Sequence, residues 1–189
     1  MKKFIFSLFT LSLVTFVLTA QDIDNSYLYQ RSQGLSLQYG IPYYDFPEGF
    51  RYRPILIGGY YRVPFRLKSR RFNIAINAFP HAGFVPVEGQ VEVEMGLNAV
   101  VEFSYLLGPE AALSFLLGSG PHFISVQTER QRNNYIFSDN FLLEYRRRLG
   151  RHEIKIMGGL RHMSNAGFKE PNKGIDDVMV GVSFGTLLD

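Results

Sequence analysis

Between Val91 and Tyr105 the chain alternates with a period of two. Odd positions read Val91, Val93, Met95, Leu97, Ala99, Val101, Phe103, Tyr105; even positions read Glu92, Glu94, Gly96, Asn98, Val100, Glu102, Ser104. Successive side chains of a strand point to opposite faces, so this is a long amphipathic strand with one wholly apolar face. Seven other segments follow the same rule. Leu35, Leu37 and Tyr39 mark the first, Ile55, Ile57, Tyr61 and Val63 the second, and Phe72, Ile74, Ile76 and Ala78 the third. After the Val91 strand come Leu113, Phe115 and Leu117, then Phe141, Leu143 and Tyr145. Ile154, Ile156 and Leu160 mark the seventh strand, and Val178, Val180, Val182 and Phe184 the eighth. No helical period competes with these after the first twenty residues.

The connections are predicted to alternate in length. "GPE" and "RLGRH", after strands four and six, are short; "RLKSRR", after strand two, is intermediate. "IPYYDFPEGFRY", "PHAGFVPVEGQ", "QTERQRNNY" and "NAGFKEPNKG", after strands one, three, five and seven, are long. An even strand number with alternating short and long connections predicts an all-β fold, an eight-stranded antiparallel transmembrane up-and-down β-barrel of the outer-membrane type. Strands of about 9–11 residues span a bilayer when tilted, and closure leaves no unpaired edge in lipid. A soluble β-sandwich or lipocalin-like barrel shares the alternation, which alone does not say which face is outside. Two features favour the membrane form. Glu92, Glu94, Glu102, Glu144, Arg62, Arg146, Lys155 and Arg161 fall on the polar faces, as suits an interior of paired charges, and Tyr and Phe cluster near strand ends. Against it, the chain ends Leu187-Leu188-Asp189 rather than on an aromatic residue.

The first residues set the compartment. Lys2 and Lys3, an apolar run from Phe4 to Leu18 and the small pair Thr19-Ala20 read as a secretory signal peptide, residues 1–20, leaving a barrel domain of residues 21–189. The run is shorter than the ~20 residues of a spanning helix. Loss of Lys2 and Lys3 takes the formal charge from +3 to +1, so charge makes no case for nucleic acid. There are no cysteines, which excludes a disulfide scaffold and thiol chemistry. His81, His122 and His152 lack metal-ligand spacing, and "GSGPH" at Gly118 to His122 lacks the lysine of a phosphate loop. No cofactor or metal is expected.

The last hairpin carries the candidate chemistry. By parity, His162 and Ser164 continue the apolar face of strand seven, together with Leu160. On strand eight Asp176 shares the apolar face with Val178, whereas Asp177 points into the barrel. Across an antiparallel hairpin Asp176 lies within reach of His162 and Ser164. These three are the parts of an acyl-transfer triad, with Ser164 as nucleophile, His162 as general base and Asp176 as the acid that orients it. They are equally the polar rim of a strand at headgroup level, where such residues cost little. Parity leaves both readings open.

"RHMSNAGFKEPNKGIDD", within Gly159 to Gly181, resembles the signature of the outer-membrane lipid A 3-O-deacylases, the PagL-like acyloxyacyl hydrolases. The rest of the chain agrees in strand pattern and length. The resemblance implies that His162 and Ser164 are catalytic. The family's third member, a glutamate fourteen positions after the histidine, is Asp176 here, one methylene shorter. Asn165, Gly167 and Asn172 fall where the family has loop residues near the nucleophile, and the Gly167 amide and Asn172 side chain are the implied oxyanion donors. The resemblance further implies an outer-membrane hydrolase whose substrate is lipid A of lipopolysaccharide, approached among outer-membrane lipids, and which removes an ester-linked (3-hydroxy)acyl chain. A homodimer is compatible with it. The rivals are a non-catalytic small barrel for adhesion or envelope integrity, and an esterase acting on other membrane lipids. Lys169 and Lys173 are candidates for phosphate or sugar contact, or simply solvated.

Overall fold

The computed structural model describes residues 26–43, 51–67, 69, 71–87 and 90–188. The expected signal peptide lies outside the described residues, as do parts of the connections after the first three strands. Eight strands follow a 3₁₀ turn at Ser26–Tyr29: β1 (Arg31–Pro42), β2 (Ile55–Pro64), β3 (Phe72–Val87), β4 (Gln90–Gly108), β5 (Ala111–Ile124), β6 (Asn134–Leu149), β7 (His152–Ser164) and β8 (Ile175–Leu188). Each pairs antiparallel with the next, and β8 pairs with β1 to close the barrel. All eight fall on the predicted segments.

One connection differs from expectation. Pro80 to Gln90 is not a long loop: β3 and β4 pair as far as Val87 and Gln90. The prolines there suggest a loop but sit where a missing N–H does little harm. The β2–β3 ladder is interrupted between His81 and Ala78, around Pro80, and Pro86 lies beyond Phe84, the last β3 residue that pairs with β2.

Closure fixes a stagger. The ladder that leaves β1 at Gln33 runs through Tyr61, Ala78, Ala99, Ser119, Asp139, His162 and Asp176, and meets β1 again at Tyr43, ten residues further along. A tilted eight-stranded barrel requires such a shear, and its bore is just wide enough to be filled by side chains.

The burial is inverted relative to a soluble protein. Leu35 is 71% exposed and Phe184 56%, whereas Arg62 and Arg146 are 0% and Arg161 2%. An apolar wall around a charged interior identifies a barrel that faces lipid. The interior is layered. Tyr52, Val85, Ile124, Met163 and Ile175 cap the long-loop end, Leu56, Tyr60, Phe79, Met157 and Met179 fill the middle, and Leu28, Leu106, Ala112 and Leu187 close the short-turn end. Between the middle and the short turns, Glu102 joins Arg62 (3.0 Å) and Arg146, and Lys155 meets Glu153 at 3.3 Å. Between the middle and the cap, Arg161 meets Glu94 and Asp177, each at 2.7 Å. Buried charges are stable only when paired in this way.

Candidate active site

The β7–β8 hairpin brings two of the three predicted residues together. Its loop spans residues 165–174, and the ladder sets His162 directly opposite Asp176 and Arg161 opposite Asp177. On the outer face His162 Nδ1 lies 2.7 Å from Asp176 Oδ1, both side chains being about one-third to two-fifths exposed. A carboxylate only accepts, so Nδ1 carries a proton, and in the neutral ring Nε2 is the acceptor. On the inner face Arg161 donates through Nε (3.2 Å) and Nη2 (2.7 Å) to Asp177 Oδ2, and through Nη1 to Glu94 on β4. The interior ion pair therefore holds the same two strands in the register that the outer pair needs. As parity predicts, Asp176 shares the outer face with His162 while Asp177 points inward, and the shorter acid reaches the ring.

Ser164 is the next outward residue on β7, opposite Phe137 of β6. Residues two apart on one face lie roughly 6.6 Å apart along the strand. Among the described residues neither Ser164 Oγ nor His162 Nε2 has a hydrogen-bond partner. Beside the histidine, an open hollow of about 310 Å³ is lined by Tyr43, Phe141, Leu160, His162 and Asp176, with Arg161 and Asp177 at its floor. Its walls are mostly apolar and face the bilayer.

The loop is organised by Asn165, which is buried. Its backbone N–H donates to Asn172 Oδ1 (2.8 Å) and its Nδ2 to the Lys169 carbonyl (2.6 Å), while its Oδ1 accepts from the Gly167 amide (3.1 Å). The Gly167 amide is thus engaged within the loop, whereas Asn172 uses only its oxygen and keeps its amide donor free among the described residues. Lys169 and Lys173 are exposed on the rim.

Sequence reasoning missed Gly174. Its φ is +74°, and a Cβ there would lie 2.5 Å from His162 Cε1, so the glycine packs directly against the imidazole. The backbone at this point is gripped by the β5–β6 connection. Arg130 donates from Nε to the Gly174 carbonyl (3.2 Å) and from Nη2 to the Lys173 carbonyl (3.3 Å). The Lys173 amide donates to the Arg130 carbonyl (2.7 Å), the Arg132 amide to the Pro171 carbonyl (2.9 Å), and Gln131 bridges to Asn172. Two loops therefore form one small sheet over the histidine. His81 and His122 also meet, Nε2 to Nδ1 at 3.1 Å, but inside the barrel; no three metal-binding side chains gather among the described residues.

Comparison with known proteins places this geometry in context. A family model described as lipid A 3-O-deacylase (PagL) matches residues 16–185. The chain belongs to the lipid A 3-O-deacylase (PagL) family. No curated protein sequence matches it. Among solved structures, the outer membrane enzyme PagL superposes with a TM-score of 0.59 at 15% identity, covering 79% of this chain and 97% of that one. The attachment invasion locus protein Ail of Yersinia pestis superposes at 0.43 with 12% identity, covering 82% and 96%. At 15% identity the likeness to the PagL structure is one of fold alone. Membership of the PagL family makes the chain, at family level, a carboxylic ester hydrolase of the outer membrane with lipid A as its substrate class.

Proposed function

We propose that the chain is a serine hydrolase that removes an ester-linked acyl chain from lipid A at the outer leaflet, with Ser164 as nucleophile, His162 as general base and Asp176 as the orienting acid. The observation that carries this reading is the 2.7 Å contact between His162 and Asp176 on the lipid-facing side of the wall, with Ser164 next on the same face.

The steps balance as in other serine hydrolases. Ser164 Oγ attacks the ester carbonyl while its proton passes to His162 Nε2, and Asp176 steadies the imidazolium. The Ser164–His162 hydrogen bond, absent in the free protein, forms as substrate closes over the pair. The tetrahedral intermediate collapses, the sugar oxygen leaves and takes the proton from Nε2. Water then gives a proton to the same nitrogen and attacks the acyl-serine; the second intermediate collapses, Ser164 Oγ leaves and takes that proton back from Nε2, and the fatty acid is released. Asn172 is the oxyanion donor that the loop leaves available; the Gly167 amide would first have to part from Asn165 Oδ1. The hollow along Phe141 and Leu160 suits an acyl chain entering sideways from the bilayer. Export by the leader at residues 1–20 belongs to the same reading, and the purified protein should begin at or near Gln21.

The test is expression in a lipopolysaccharide-producing host, with lipid A followed by mass spectrometry. Wild type should remove one acyl chain and Ser164→Ala none. Unchanged lipid A in both, or free fatty acid traced to phospholipid, would refute the lipid A reading.

A further inference from the structure

The two ends of the barrel carry different charge. The short connections at residues 66–71 and 147–152 hold seven lysines and arginines and no acid, and the third, between β4 and β5, adds one carboxylate, Glu110. The long connections at residues 43–54, 125–133 and 165–174 are mixed, with six basic residues and four acidic ones. The formal charge of the whole chain is only +3, so the asymmetry is one of placement rather than of general basicity.

Neighbouring rings set the depth of these cations. Arg147 follows Tyr145 on the outward face of β6, Arg66 follows Phe65 just beyond β2, and all four are exposed. Arg71 Nη1 donates to the hydroxyl of Tyr105, an outward ring of β4, at 3.2 Å. Rings at the ends of outward faces mark the membrane–water interface, so these guanidinium groups stand at headgroup level. The interior does not draw on them: Glu102 meets Arg62 and Arg146, and Glu153 meets Lys155 at 3.3 Å. Glu110 meets Arg147 at 3.3 Å, but both side chains are half exposed and solvent weakens the pair. Short turns of such barrels face the periplasm, where the headgroups are those of glycerophospholipids rather than of lipid A. Clustered arginines beside a bilayer attract anionic headgroups, and the guanidinium fork matches a phosphate. We propose that the short-turn rim is a binding surface for anionic glycerophospholipids of the periplasmic leaflet. The β2–β3 and β6–β7 turns, four strands apart around the barrel, are its two contact points. The proposal does not depend on the hydrolase reading.

The experiment places the folded protein in detergent micelles holding equal amounts of phosphatidylglycerol and phosphatidylethanolamine, and native mass spectrometry counts the lipids it retains. Both lipids carry a phosphate, so a preference reports net headgroup charge. Wild type should retain phosphatidylglycerol in at least about fivefold excess at low salt, the effect of a single well-placed cation. The excess should shrink in about 0.5 M NaCl, because exposed charges are screened. Arg66→Gln/Arg71→Gln and Arg147→Gln/Arg151→Gln should each lose about half of the excess, and the four substitutions together should abolish it. Arg132→Gln/Lys169→Gln, exposed at the long-loop end, should keep it. Each variant is first shown to be folded by heat-modifiable migration, and the two pairs carry the test if the combined variant does not fold. A wild type without preference, an excess that survives both short-turn pairs, or equal loss from the long-loop pair overturns the proposal.

Discussion

Asp176 and Asp177 are neighbours in the chain and lie on opposite sides of the barrel wall. One meets His162 from the lipid side and the other meets Arg161 from the interior, each at 2.7 Å. The same peptide thus serves an exposed pair and a buried one, and the two are separable by substitution.

Asp176→Asn removes the charge that holds the imidazole tautomer but leaves the fold intact. Its kcat should fall by about 10²–10⁴ with little change in midpoint of urea unfolding. Asp177→Asn should do the reverse first. It leaves the Arg161 guanidinium, buried beside Glu94, short of a partner, and should lower barrel stability by on the order of 3 kcal/mol. Unfolding in lipid vesicles, followed by the gel-mobility shift, measures it.

Gly174→Ala should damage turnover out of proportion to stability. Gly150, in the β6–β7 turn, has a similar φ of +65° but nothing within 4 Å of a Cβ, whereas at Gly174 the added methyl meets the imidazole. Both substitutions strain the left-handed backbone by about 1–2 kcal/mol. Only Gly174→Ala should reduce kcat, by at least about tenfold, because it pushes the ring away from Asp176. Equal kinetics for the two variants would show that the glycine does not position the histidine.

Asn165→Ala should unmake the loop above the site. It deletes the acceptor for Gly167 and the donor to Lys169, both exposed loop residues, at a net cost of about 0.5–1.5 kcal/mol per lost hydrogen bond. Faster proteolysis between Ala166 and Lys173, with the barrel still resistant, is the expected pattern.

Glu102→Leu should test the interior independently of the site. The carboxylate accepts from Arg62, Arg146 and Asn77, and its removal leaves two buried guanidinium groups facing one another. Folding yield into micelles should drop sharply, by a cost on the order of 3–5 kcal/mol.

The period-two pattern was enough to locate all eight strands and their faces, because lipid and a packed interior sort side chains as strictly as water and a core do. The bounds of the last hairpin, and the choice between the twin aspartates, followed from parity alone. Pro80 and Pro86 misled because a missing N–H reads as a breaker unless the neighbouring ladder is known. Asp139 interrupts a stripe of rings and is visible in the sequence as an oddity. Its place beside His162 depends on inter-strand register, which neither strand encodes by itself. The same holds for Arg130 reaching Gly174 across forty-four residues, and for His81 meeting His122.

Within the stack of apolar and charged layers, the cavity lined by Leu56, Phe79, Asn98, Leu142 and Met157 is only about 20 Å³, room for about one water molecule. Among the described residues, side chains fill the bore. A bacterium can therefore crowd its surface with this protein without becoming leakier to detergents or antibiotics, and changes in permeability that accompany its expression would trace to altered lipid rather than to a pore.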